Sequence, residues 1–190
     1  KGTHFIQNSI KGWTFVYNKT LAQELGIDLT DNDIDGLPDA FNSWEKIFEM
    51  EDKLLEKVEY VFPLTFVDQL SFYPFLTGGK WRLNFSNKGN EPGFDTPEFL
   101  KGLSLVEDFG NSRLTNSETK KKANELSWEY ESALINRKSL FSIVGDWMQL
   151  DYFLGGSTDE FVIAPFPTYQ NHYLAPMGYV DGYMVDKNVK

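Results

Sequence analysis

Short runs of β-branched and aromatic residues alternate along this chain with stretches whose apolar residues recur every three or four positions. Such runs fit strands and the 3.6-residue period fits amphipathic helices, so the pattern predicts an α/β chain. Residues 13–17 (WTFVY) predict a strand. Asn18 leads into a short helix over 19–25, and Gly26 stands where a helix C-terminus needs a left-handed residue. Ser43 is a fitting N-cap for a helix from Trp44 to about Lys57, with Ile47, Leu54, Leu55 and Val58 as its apolar stripe. Residues 60–66 predict another strand, which runs into an aromatic segment over 69–75 that Gly78 and Gly79 end. Thr96 and Pro97 open a further helix, because proline in the first turn gives up an N–H that has no partner there. Its stripe is Phe99, Leu100, Leu103, Val106 and Phe109, and Gly110 ends it. A polar helix follows from about Glu118 to Ile135, with Leu126, Tyr130, Ala133 and Leu134 inward and Asn136 as the left-handed cap. Residues 139–144 and 161–164 predict buried strands, and 176–185 an extended segment punctuated by Gly178 and Gly182.

Composition narrows the classes. The 190 residues suffice for one domain or two small ones. The hydrophobic fraction of 41% and charged fraction of 24% are those of a folded chain, not a disordered one. A net charge of −10 argues against a nucleic-acid partner and against docking on anionic lipid. The longest apolar runs are too short to span a bilayer, and residues 1–12 lack the apolar core of a signal peptide. The absence of cysteine excludes disulfides, thiolate metal sites and cysteine nucleophiles, and is compatible with life outside a bacterial cell. Aromatic residues make up 16%, enough for a Phe-rich core and for rings that line a binding face. Both ends read as cuts, so a fragment of a larger protein is expected.

The sharpest local motif is DNDIDGLPD over residues 31–39. Asp31, Asp33 and Asp35 alternate and Gly36 takes the sixth place, the front half of an EF-hand-type calcium loop. Calcium wants six to eight hard oxygens. Alternating carboxylates wrap one side of the ion, the Leu37 carbonyl supplies the seventh-position oxygen, and Asp39 at the ninth binds directly or through water. The twelfth position holds Asn42 where a bidentate Glu is usual, and Glu45 is the alternative donor. Pro38 departs from a regular EF-hand, so no helix–loop–helix pair is implied. The competing view is a solvated acidic turn, with Asp and Gly present for turn chemistry. An ion here is expected to be structural.

Seven segments in order resemble one family: YNKTLAQELGI (17–27), SWEKIFEMEDKL (43–54), PLTF with GGKW (63–66 and 78–81), FDTPEFLKGLSLVEDF (94–109), ALINRKSLFSIVGDW (133–147), FVIAPFP (161–167) and GYVDGYMVDKNVK (178–190). They are similar to family 1 extracellular solute-binding proteins, the carbohydrate-type receptors of bacterial ABC importers. The resemblance implies one lobe of a type II periplasmic-binding-protein-like fold, a mixed sheet flanked by helices. That lobe would be the second of two, with residues 1–12 and 177–190 near the hinge crossovers and the first lobe missing. It further implies a monomeric, non-enzymatic receptor for a sugar or other small solute, extracellular on a lipoprotein anchor or periplasmic, that docks on a membrane permease. The ligand contacts it points to are Trp147 and Asp146 of the GxW motif, Asp68, Gln69 and Phe72 before the double glycine, and Tyr179 and Asp181 in the second hinge segment. Asn136 stands where the family has Gly, and 179–181 replace small residues, which puts a ring near the cleft.

Two other classes compete. A glycoside hydrolase needs paired carboxylates, and 28 acidic residues make some pair inevitable and uninformative. His4 and His172 sit in no catalytic motif, and GxSxG, HExxH and a P-loop are missing from the sequence. A calcium-binding carbohydrate-binding or adhesion module would fit the acidic loop, yet such modules are commonly all-β.

Overall fold

The computed structural model describes residues 5–63, 69–83, 92–112, 130–145 and 155–184. Its organising element is β1 (Phe5–Asn18). The second half of β1 lies between β2 (Phe141–Gly145) and β3 (Phe161–Ala164), with Phe15 opposite both Ile143 and Ala164. Its first half extends past both and pairs with β4 (Gly178–Met184). The chain is α/β, and the described strands form an antiparallel sheet where the resemblance implies a mixed one. Among the described residues every pair of strands is antiparallel, and parallel contact is confined to the single bridges Ser43–Thr168 and Tyr60–Ser139. Residues 60–63 were expected to open a strand. They form no named strand: Tyr60 bridges Ser139 with its N–H on the Lys138 carbonyl at 2.8 Å, the Phe141 N–H donates to the Val61 carbonyl at 3.4 Å, and 64–66 lie outside the described residues.

The helices follow their caps. In α1 (Lys19–Glu24) the Asn18 side chain accepts from the Leu21 N–H at 2.9 Å, and Gly26 follows at φ 69°. The Trp44 helix forms as two pieces, α2 (Trp44–Glu49) and α3 (Glu51–Leu55), that meet at Met50. Then come α4 (Gln69–Leu76) and a 3-10 turn over Thr77–Gly79. Thr96 caps α5 (Pro97–Asn111) through the Phe99 N–H at 3.3 Å, and the helix runs through Gly110 instead of ending there.

The stripe of α5 is rotated from the one expected. Leu100 and Leu103 are 56% and 36% exposed, whereas Gly102, Leu105 and Phe109 are buried. The cause is a close crossing. A Cβ on Gly102 would overlap the Leu76 carbonyl, and one on Gly79 would overlap the Glu98 carbonyl. The helix docks on its glycine side, and that sets which large residues point out.

Of the expected polar helix the described part is α6 (Tyr130–Ile135), with Ala133 and Leu134 buried. The left-handed residue after it is Arg137 (φ 59°), not Asn136. The Asn136 N–H still donates to Ser132 at 2.9 Å, while ion pairs to Glu24 (2.7 Å) and Asp159 (2.9 Å) hold Arg137.

The core is the aromatic cluster the composition pointed to. Trp44 is fully buried, with ring centres of Phe109, Phe62, Phe75 and Phe15 at 4.8, 5.2, 5.5 and 6.1 Å, all edge-on. Edge-to-face contact suits the ring quadrupoles, and each buried Phe adds roughly 1.5–3 kcal/mol from area alone. This core joins β1, α2, α4 and α5 and fixes the start of α2, where the acidic loop ends.

Candidate functional site

The loop over residues 31–39 brings three of its four acids together. Oxygens of Asp31, Asp33 and Asp39 all lie within 4.8 Å of one another. The Asp31 carboxylate also accepts from the Asp35 N–H (3.2 Å) and the Gly36 N–H (3.1 Å), which folds the turn around it. Asp39 accepts from the Asn32 amide at 2.5 Å. Asp35 is used differently: its Oδ1 accepts from the Leu37 N–H at 2.8 Å. Leu37 is 2% exposed and anchors the turn in the core. Gly36 adopts φ 93° and packs against the Pro165 ring, so only glycine suits the position. Ile34, at φ 58° and 87% exposed, is β-branched and strained there.

Both donors expected at the twelfth position are engaged elsewhere. Asn42 Oδ1 accepts from the Lys46 ammonium at 2.9 Å, and Glu45 Oε1 accepts from the Gln170 N–H at 2.7 Å. The carboxyl of Asp33 is raised above its ordinary range, first by partial desolvation and then by the charge of Asp35. Three carboxylate oxygens this close are a set that could hold an oxygen-seeking divalent cation.

The ribbon of β1 and β4 carries two more of the expected residues. Its register places Tyr179, Asp181 and Tyr183 on one face, opposite Lys11, Ser9 and Ile6. Lys11 bonds Asp181 at 2.6 Å and lies 5.9 Å from the centre of the Tyr179 ring. A register shift between Gln7 and Ser9 keeps this face continuous. Ile10 and Val180 share the opposite face and are exposed, as are Ile6, Tyr183 and Met184.

Gln69 opens α4 and Phe72 lies within it. Asp68, Asp146 and Trp147 lie outside the described residues. Lys11 and Lys46 escaped the sequence reading. Lys46 had one signal, its place one helical turn after Asn42, whereas Lys11 meets Asp181 only through strand pairing. No protein-family model matches this sequence, and no curated protein matches it.

Proposed function

We propose that this chain is one lobe of the solute-binding receptor of an ABC importer, taking a sugar or oligosaccharide in a cleft that a second lobe closes. The fold we propose is accordingly that of a periplasmic-binding-protein-like lobe. The observation that supports this most is the β1–β4 ribbon. The resemblance assigns the two ends of the chain to hinge crossovers, and residues 5–12 and 178–184 run side by side beyond the three-stranded part of the sheet. A two-stranded ribbon with exposed apolar side chains is marginal in water and gains stability when another body covers it.

In this reading Trp147 stacks on the apolar face of a pyranose. Asp146, Asp68, Gln69, Phe72, Tyr179 and Asp181 supply hydroxyl partners and further rings. Ligand bridges the lobes and favours the closed form by its differential affinity, and the closed form engages a membrane permease. The role is binding without turnover, in a monomer outside the cell or in the periplasm. The loop over 31–39 takes a structural calcium that pins the entry to α2. An adhesion module is the weaker reading, because the helices here sit poorly with an all-β architecture.

Saturation-transfer NMR of the chain with mono- and oligosaccharides, calcium present, tests the proposal. A sugar signal that disappears in Trp147→Ala supports it. Sugar that is hydrolysed during the experiment, or a signal indifferent to Trp147→Ala and Asp181→Ala, overturns it.

A further inference from the structure

The three residues of the 3-10 turn over Thr77–Gly79 are buried, and each faces a different neighbour. Gly79 lies against α5, where a Cβ would overlap the Glu98 carbonyl. Gly78 lies against Tyr169, and a Cβ there would stand 3.2 Å from the ring. Thr77 uses its side chain. Its Oγ1 donates to the Pro74 carbonyl in the last turn of α4 and accepts from the Ala175 N–H at 2.8 Å. Arg82 adds a second tie, donating to the Thr77 carbonyl at 3.1 Å and to the Tyr173 carbonyl at 3.4 Å. Leu174, between the two tied residues, is buried. The chain therefore sets out for β4 from a fixed point. Little slack follows, because Pro176 has a locked φ and holds Ala175 to extended backbone, and β4 begins at Gly178.

We propose that Thr77 is a positioning residue whose hydroxyl clasps the end of α4 to the segment entering β4 and so fixes two groups of ligand residues relative to each other. Gln69 and Phe72 belong to α4, and Tyr179 and Asp181 to β4. The clasp stands on the hydrogen bonds alone; its part in binding rests on the sugar-receptor reading above. Both partners of the hydroxyl are backbone groups, so losing it releases main chain and not a single side chain. One atom donates and accepts here, which a hydroxyl can do and a methyl cannot.

The test compares Thr77→Val, which keeps the shape and loses both bonds, with Thr77→Ser, which restores them, in the full chain. Amide hydrogen exchange is read at Ala175 and in β4, with β2 as the reference. Thr77→Val is expected to speed exchange at Ala175 and in β4 by about 10-fold relative to β2, with Thr77→Ser close to the parent. A general loss of stability would speed exchange throughout and leave that ratio unchanged. Saturation-transfer NMR with the same mono- and oligosaccharides then reads binding. Thr77→Val is expected to weaken a sugar bound by the parent about 3- to 10-fold, and Thr77→Ser to recover it. An unchanged β4-to-β2 ratio in Thr77→Val, or no rescue by Thr77→Ser, overturns the clasp. A changed ratio with unchanged sugar affinity overturns the positioning role. A changed ratio with no sugar bound by the parent supports the clasp and overturns the sugar reading on which the positioning role rests.

Discussion

Asn18 and Asp159 meet across 141 positions of sequence: the Asn18 amide donates to Asp159 Oδ2 at 2.6 Å while its carbonyl oxygen caps α1. One fully buried side chain thus ends β1, starts α1 and ties both to the turn before β3. Asn18→Ala removes a cap worth about 0.5–2 kcal/mol and a hydrogen bond to a carboxylate worth about 1.5–3 kcal/mol. Arg137 still holds Asp159, so a net loss of about 2–4 kcal/mol is expected by urea denaturation. Asn18→Asp keeps the cap acceptor but sets a second carboxylate against Asp159. Its deficit should shrink as acid neutralises the pair; a deficit independent of pH would refute the contact.

The crossing of α5 over the α4 end makes a second test. Gly102→Ala forces its new methyl into the Leu76 carbonyl, and Gly79→Ala does the same at Glu98. Backbone is the obstacle in both, so relaxation must separate two helical segments, and a loss of about 1–3 kcal/mol or more is expected for each. Gly110→Ala is the control. Nothing lies within 4 Å of its added Cβ, and helix propensity favours alanine there by about 1 kcal/mol. Equal effects at positions 102 and 110 would rule out the close crossing.

The same crossing shows why the sequence is legible in some places and not in others. Caps act within four residues, so Asn18, Ser43 and Thr96 announced their helices correctly. The face of α5 depends on what crosses it. Periodicity counts large apolar residues and therefore chose Leu100 and Leu103 over Gly102. The first half of β1 was missed because the register shift near Asn8 re-phases the alternation that marks a strand. The left-handed place went to Arg137 through partners at positions 24 and 159, which no local pattern reveals. In the candidate site the convergence of Asp31, Asp33 and Asp39 followed from loop spacing. The diversion of Asp35, Asn42 and Glu45 to the Leu37 N–H, Lys46 and the Gln170 N–H required the fold.

Within the loop, Asp31 and Asp33 should respond oppositely to substitution in chelator. Asp31 is a structural acceptor for two backbone N–H groups, so Asp31→Ala is expected to destabilise by about 1–2 kcal/mol with or without metal. The Asp33 carboxyl is raised by partial desolvation first and by the charge of Asp35 second, and both penalise its charge in the folded loop. Asp33→Asn should therefore raise the melting temperature in chelator and reduce any gain from calcium. Thermal melts of both variants in chelator and in calcium decide the matter. A drop for Asp33→Asn in chelator would remove the repulsion argument.

Tyr169 governs the alkaline limit. Its hydroxyl donates to Asp108 Oδ2 at 2.7 Å, and burial first, then that bond, push the phenol well above its ordinary value. In the unfolded chain the phenol ionises near about pH 10. Below that value both states hold the proton and the full contribution is present. Above it the unfolded state releases the proton while the folded state retains it, so stability falls as pH rises toward the folded value. Tyr169→Phe removes the donor and leaves Asp108 short of a partner, for a loss of about 1–2 kcal/mol at neutral pH. It also removes one proton from the alkaline linkage, so the urea midpoint should decline less steeply from about pH 10 to about pH 12 than in the parent. Tyr17, likewise raised by burial, leaves a residual slope in the variant. Parallel midpoint curves for parent and variant across that range would show that the Tyr169 proton is not retained in the folded state.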